Sequence, residues 1–205
     1  MTDETPESAR SAAARQTREK LVASAMELFA EQGLSKPSLD AICERAGFTR
    51  GAFYVHFATR DDLIVAVVEE VMGGFIDAII ATGELGADLP TIVRAFTSAV
   101  ESGVFPFPGH VRPHQILEAC ARTDKLRDAY VEKIDEARRR LSDTVLRGQA
   151  AGTIRSDVDP NAVAQLLLAT VLGVEVATDL SVPYDARAVG ELLLSLVGGG
   201  TTSVS

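Results

Sequence analysis

The stretch Ala46-Gly47-Phe48-Thr49-Arg50-Gly51-Ala52-Phe53-Tyr54-Val55-His56-Phe57 reads as a helix end, a turn governed by glycine and a second, short amphipathic helix. A helix-turn-helix bend needs a backbone conformation that a Cβ resists, and Gly47 supplies it. Thr49 is placed to cap the second helix, its hydroxyl accepting from an orphan N–H of the new first turn. Phe48, Phe53 and Phe57 then anchor that helix on a core, leaving Thr49, Arg50, Tyr54 and His56 on the other side. Upstream, Ser38 is the expected N-cap of the preceding helix, with Leu39 and Ile42 as its apolar positions. Cys43, four residues before Gly47, is the small side chain needed where the two helices cross closely.

The pattern continues on both sides of the turn. Thr17 to Gly33 (T-R-E-K-L-V-A-S-A-M-E-L-F-A-E-Q-G) carries an apolar stripe at helical spacing in Leu21, Val22, Ala25, Leu28 and Phe29, and Gly33 ends it. Phe57 to Leu63 (F-A-T-R-D-D-L) is the entry to another helix, with Thr59 as N-cap and Asp62 completing a capping box. In order and spacing these blocks, from about Thr17 to Val67, resemble the TetR family of bacterial transcriptional regulators. The chain has Cys43 where the family more often has Ala, Phe48 for Val, and Arg50 and Arg60 for Lys. The first two changes conserve packing. The arginines keep the charge and turn a point into a planar fork, so the base sequence read can differ from that of relatives.

Composition agrees with a soluble protein: 205 residues, 46% hydrophobic and 24% charged. The most apolar run, Ala162 to Val174, is shorter than a bilayer of about 30 Å requires. The N-terminus opens with acids and lacks an apolar signal core, which points to the cytoplasm. Cys43 and Cys120 do not suggest a disulfide framework.

A net charge of −9 argues at first against nucleic acid, because phosphate neutralisation needs Lys and Arg. The distribution answers the objection. From Arg10 to Arg60 eight basic residues face five acids, whereas from Asp61 onward twelve face twenty-one. The N-terminal end is thus suited to DNA and the remainder is repelled by it.

The expected fold is all-α, with about nine helices. Residues 1–12 read as a flexible tail, 13–59 as a three-helix DNA-binding domain, 60–197 as a helical ligand-binding and dimerisation domain, and 198–205 as a second flexible tail. The helix from Arg60 carries Leu63, Ile64, Val67, Val68, Val71 and Met72 and continues through Gly73 and Gly74, which mark either a kink or close packing. Further helices are expected at Leu89 to Ser102, Pro113 to Arg122 and Asp124 to Ala150. Another runs from Pro160, capped by Asp159, to about Leu180, and a last one is opened by Pro183 and Asp185. The helix from Pro160 is apolar on nearly all sides, so one face must meet something beyond its own domain. With its neighbour it suggests a homodimer built on a four-helix bundle, the arrangement that the resemblance also implies.

In such a dimer two recognition helices would enter successive major grooves roughly 34–36 Å apart, so the partner is double-stranded DNA with a palindromic operator. Arg50 is assigned to a base edge, with guanine O6/N7 as its natural partner, or to phosphate. Gly51 allows close approach. Thr49 and Tyr54 are assigned to phosphates or a thymine methyl, His56 to phosphate, and Ser38, Thr59 and Arg60 to clamping the backbone on either side. Tyr54 as a packing residue and His56 as a cap on its own helix are the competing readings.

The resemblance also implies that the body holds a small-molecule inducer, that ligand moves the fourth helix, and that repression is relieved on binding. Phe75, Phe96, Phe105, Phe107, His110, His114, Tyr130 and Val171 are the candidate ligand-binding residues, the segment Gly103 to His114 forming either a pocket lip or an ordinary loop over the core. No metal site is expected, because Pro113 starts a helix that leaves His110 off the face of His114. Thiol sensing has no basic neighbour to lower the pKa of Cys120. No cofactor and no catalytic residues are expected: the chain has no phosphate-binding glycine loop, nucleophile elbow or paired carboxylates. An all-helical small-molecule-binding protein or enzyme without DNA-binding activity is the alternative, against which Arg50, Tyr54, His56 and Arg60 speak.

Overall fold

The computed structural model describes residues 6–84, 88–105 and 111–199. Among them the chain forms nine helices: α1 (Pro6–Gln32), α2 (Leu39–Ala46), α3 (Arg50–His56), α4 (Arg60–Glu84), α5 (Leu89–Glu101), α6 (Pro113–Cys120), α7 (Asp124–Ala150), α8 (Pro160–Asp179) and α9 (Ala186–Val197). The fold is all-α, and extended pairing among the described residues is confined to one isolated antiparallel bridge, Ile154 to Gly198. The chain divides into two compact units, residues 1–71 with 109–130 and residues 72–108 with 131–205. Helices α4 and α7 each begin in the first unit and end in the second.

The first unit is organised around α1. Leu21, Ala25 and Phe29 recur every fourth residue on one face, and with Ile42, Phe53, Leu63 and Val67 they are wholly buried. Each such aliphatic or aromatic side chain contributes about 1.5–3 kcal/mol by leaving water. Helix α1 begins at Pro6, so residues 6–12 are helical where a tail was expected. The run Ser8 to Arg15 (S-A-R-S-A-A-A-R) is alanine-rich and intrinsically helix-forming, and Pro6 suits a first helical position. At the other end Gly33 takes φ +83° and its N–H returns to the Phe29 carbonyl at 2.8 Å. A Cβ at Gly33 would stand 3.1 Å from the Gln115 side chain of α6, so the α1 stop is also a contact point. Lys125, at the start of α7, is ion-paired with Asp62 of α4.

In the second unit α5, α8 and α9 each open on an aspartate cap: Asp88 accepts from Thr91 N–H (2.9 Å), Asp159 from Asn161 N–H (3.0 Å) and Asp185 from Ala188 N–H (2.8 Å). Helices α5 and α9 pack closely because Gly190 has no side chain; a Cβ there would lie 2.6 Å from Thr97 Cγ2. Arg187 closes the same pair with a two-pronged bond to Glu101, both contacts 3.0 Å. Arg140 of α7 reaches Asp77 of α4 at 2.9 Å. Helix α4 runs uninterrupted through Gly73 and Gly74, and a Cβ at either would meet no described atom within 4 Å, which disfavours close packing as their purpose.

Two expectations for the C-terminal region change. The stretch expected as a tail from Gly198 is anchored at its start: Gly199 N–H donates to Thr153 O, and Arg155 N–H to Val197 O, both at 3.0 Å. A Cβ at Gly199 would be 2.6 Å from the Gly152 carbonyl, so glycine there serves a backbone-to-backbone approach; residues 200–205 lie outside those described. Helix α8 spans 20 residues, because its apolar pattern continues past Val174, and by length and composition it is sufficient to cross a bilayer. Only 17% of its apolar window is buried.

Candidate nucleic-acid interface and body cavity

The turn between α2 and α3 is built as the local sequence dictates. Ser38 Oγ accepts from Ala41 N–H (3.1 Å). Gly47 takes φ +75°, and two backbone bonds close the end of α2: Gly47 N–H to Glu44 O (3.1 Å) and Phe48 N–H to Cys43 O (2.9 Å). This double closure is the Schellman arrangement, which requires the left-handed residue. Thr49 Oγ1 then accepts from Ala52 N–H (3.2 Å), starting α3 two residues later. Thr59 and Asp62 form the expected reciprocal box, Asp62 N–H to Thr59 Oγ1 (3.2 Å) and Thr59 N–H to Asp62 Oδ2 (2.9 Å).

Helix α3 is pinned by one face. Phe53 and Phe57 are buried with ring centroids 5.4 Å apart, while Phe48 is only half-buried. Tyr54 meets Phe53 edge-on at 5.3 Å and still exposes 56% of its surface, so it packs locally and remains accessible. Thr49, Arg50 and Gly51 are exposed and His56 is half-buried in the last turn. Ser38 and Thr59 are exposed at the starts of α2 and α4. Among the expected DNA-facing residues, then, Ser38, Thr49, Arg50, Gly51, Tyr54 and Thr59 are presented to solvent.

Arg60 is different. Its Nη2 donates to the Leu34 carbonyl and its guanidinium lies 5.5 Å from the Phe29 ring centroid. Burial lowers the pKa of the group from its ordinary value. The chain carbonyl and the aromatic face offset part of the desolvation that lowers it. The side chain joins the start of α4 to the turn after α1, whereas the expectation made it a clamp on the DNA backbone.

Arg50 also has a partner that periodicity does not reveal. Asp40, in the first turn of α2, accepts from Arg50 Nε through Oδ1 and from Nη2 through Oδ2, the latter at 2.6 Å. The hydrogen bond from Arg50 holds the Asp40 carboxyl below the usual carboxylate range. Elsewhere in the basic N-terminal segment, Arg45 is paired with Glu31 (2.8 Å) and Glu27 (3.5 Å), and Arg18 lies 5.2 Å from the Phe57 ring centroid. Lys20 and Lys36 are exposed.

The second unit holds an apolar cavity of about 50 Å³ that opens into a cleft of about 630 Å³ when the space at its mouth is included. It is bounded by Ile92 and Phe96 of α5, Leu141 of α7, Leu168 and Val171 of α8, and Leu193 of α9. Thr97, Thr170 and Tyr184 are its polar members. The two threonine hydroxyls donate to their own helices, Thr97 to Arg94 O (3.1 Å) and Thr170 to Leu166 O (2.9 Å). Among the described residues, no charged side chain lines it.

Phe96 and Val171 therefore stand where a pocket was expected. Phe105 packs on Phe96 with centroids 5.2 Å apart and is buried in the adjoining core cluster. His114 is exposed on α6 and Tyr130 is half-buried on α7; both belong to the first unit and neither lines the cavity. Phe107, His110 and the side chain of Phe75 lie outside the described residues. Sequence reasoning missed Leu141, Leu168 and Leu193, whose helical spacing is indistinguishable from that of ordinary core, and Tyr184, which lies in the loop before α9. Burial pushes both thiols up, Cys43 and Cys120, which disfavours the reactive thiolate.

A capped, core-anchored second helix with an exposed polar face, in a unit joined to an all-helical body with a cavity, defines a helix-turn-helix DNA-binding protein. Residues 21–67 match the bacterial regulatory proteins of the TetR family, and residues 87–189 match the tetracyclin repressor-like C-terminal domain. The chain belongs to the TetR family, and it is a DNA-binding transcriptional regulator.

The relatives divide by extent. The regulator SrpR of Pseudomonas putida is 42% identical over 57 residues, 28% of this chain and 27% of its own length. The repressor KstR2 of Mycolicibacterium smegmatis is 26% identical over 196 residues, 90% of both chains. A solved complex of SmeT with triclosan superposes with a TM-score of 0.71 at 25% identity, covering 91% of this chain and 93% of the other. SmeT is described as the repressor of a multidrug efflux pump of Stenotrophomonas maltophilia.

Proposed function

We propose that this chain is a homodimeric repressor that binds a palindromic operator through α3 and leaves it when a small apolar molecule occupies the body cavity. The observation that carries the reading is the asymmetry of α3, with Phe53 buried on one side and Thr49, Arg50, Gly51 and Tyr54 exposed on the other. Arg50 reads a base edge, Gly51 permits close approach, and Thr49 and Tyr54 hold phosphate or a thymine methyl. Ser38, His56 and Thr59 contact the backbone, where the N-termini of α2 and α4 favour phosphate.

The dimer rests on α8 and α9. Leu166 and Val176 of α8, Leu180 at its C-cap, and Leu192 and Leu196 of α9 are all exposed, a large apolar surface for a protein acting in water. An interface between two copies accounts for the apolar length of α8 without a membrane, and action on chromosomal DNA places the protein in the cytoplasm. The body division at residues 60–197 is its ligand-binding and dimerisation domain, and residues 13–59 its DNA-binding domain.

The cavity favours an uncharged, apolar ligand. Its lining has no ion to pair with a charged one, the threonine donors are turned to their own carbonyls, and Tyr184 is left as the principal hydrogen-bonding partner. The occupation of SmeT by triclosan supports such a class for this fold. Ligand lowers DNA affinity only to the extent that it prefers the released state, so the cavity must widen with the conformational change. The protein works by binding, with no catalytic step.

Selection of bound DNA from a random pool tests the reading. Enrichment of one palindrome is expected, with an Arg50→Ala variant losing about 1–3 kcal/mol of discrimination at one base pair of each half-site. Failure to enrich any sequence overturns it.

A further inference from the structure

Arg50 and Asp40 lie on different helices, ten residues apart, and meet fork to fork. The carboxylate occupies the Nε–H and one Nη2–H of the guanidinium. Of the five donors a guanidinium carries, both on Nη1 and the second on Nη2 remain. One Nη1–H and that second Nη2–H lie parallel along the distal edge, the spacing that guanine O6 and N7 accept. The same pairing cancels the charge that would otherwise reward contact with any phosphate.

Stability does not explain the pair. Both side chains are more than half exposed, and exposed ion pairs contribute little. The α2–α3 turn is already held by the Ser38 and Thr49 caps, the Gly47 closure and buried Phe53. Leaving a carboxylate on the DNA-facing side of a protein that must approach polyanionic DNA carries a cost in general affinity. That cost has a return if the carboxylate sets what the neighbouring arginine can do.

We propose that Asp40 is a specificity-determining positioning residue: it orients Arg50 so that its distal edge reads guanine, and it neutralises Arg50 toward phosphate. The inference rests on the reading of α3 as the recognition helix. Without Asp40, Arg50 turns freely and becomes a general phosphate contact. Sequence discrimination is then exchanged for salt-dependent affinity.

The test uses the full chain and its Asp40→Asn, Asp40→Ala, Arg50→Ala and Asp40→Asn/Arg50→Ala variants. Each is titrated across a salt series on the operator recovered by selection and on a scrambled duplex. Asp40→Asn and Asp40→Ala should each bind scrambled DNA more tightly, steepen its log K against log salt slope by about one, and reduce the operator-to-scrambled ratio roughly tenfold. In the Arg50→Ala background, Asp40→Asn should change both duplexes alike. An unchanged ratio in Asp40→Asn, or an equal change with and without Arg50, overturns the proposal while a discriminating parent keeps the regulator reading intact. A parent chain with no preference for any duplex overturns both.

Discussion

Replacing Arg60 by Ala separates a structural arginine from a phosphate-binding one. The substitution removes the donor to the Leu34 carbonyl and the cation 5.5 Å from the Phe29 ring centroid. A hydrogen bond from a charged donor contributes about 1.5–3 kcal/mol, and a partly exposed cation over an aromatic face about 0.5–1 kcal/mol. The solvent that enters the vacated space recovers part of this, leaving a net loss of about 2–3 kcal/mol. For a chain of this size each kcal/mol lowers the midpoint by roughly 2–4 °C, so thermal denaturation at fixed protein concentration should show a fall of roughly 4–12 °C. Arg60→Lys keeps the charge without the planar fork and should fall in between. The salt dependence of operator binding by the folded variant should match the parent. An unchanged midpoint with a salt slope shallower by about 0.9 would mean that Arg60 contacts phosphate and that the inward geometry does not govern its role.

Gly47→Val should cost well over 1 kcal/mol, because a β-branched residue resists φ +75°, and should abolish operator binding in a gel-shift titration, whereas Gly47→Asn should retain most of it. Glu175 is pushed up to about 7, by burial first and by Asp179 second, from an ordinary 4.5. The folded chain therefore holds more protons than the unfolded one between about 4.5 and about 7, and the Glu175 contribution to stability falls as pH rises through that window. In urea denaturation Glu175→Gln should accordingly gain on the parent between pH 5 and pH 7.5, a constant gap counting against this. Leu180→Asp combined with Leu192→Asp, at positions 69% and 59% exposed, should halve the mass seen by light scattering while leaving the helical signal; an unaltered dimer would place the interface elsewhere.

The parts of this fold legible in the sequence are those decided within about four residues. Ser38, Gly47, Thr49, Asp159 and Asp185 each settle a helix boundary through a bond to a near neighbour, and each stands where residue type and spacing place it. The start of α1 is polar in composition, and the helix propensity of its alanines extends the helix to Pro6. What could not be read are partnerships made across the fold. Arg60 meets Leu34 from 26 residues away, Lys125 meets Asp62 from 63, and Arg50 meets an aspartate on another helix. In sequence each is simply a charged residue on a helix. The cavity was hidden for a related reason: Ile92, Leu141, Val171 and Leu193 come from four helices, and an apolar position facing a void has the same periodicity as one facing a neighbour.

The path of the chain through its two units constrains how such a regulator can be recombined. Residues 109–130 are compact with residues 1–71, so α6 and the beginning of α7 are encoded downstream of α5, an element of the other unit. An exchange of heads between two relatives at one crossover near residue 71 would bring a foreign Gln115 against Gly33 and a foreign Lys125 against Asp62. A chimaera that preserves both units needs three junctions, near residues 71, 108 and 130, and transplanting a binding specificity onto a new sensor means carrying a 22-residue insert along with the head.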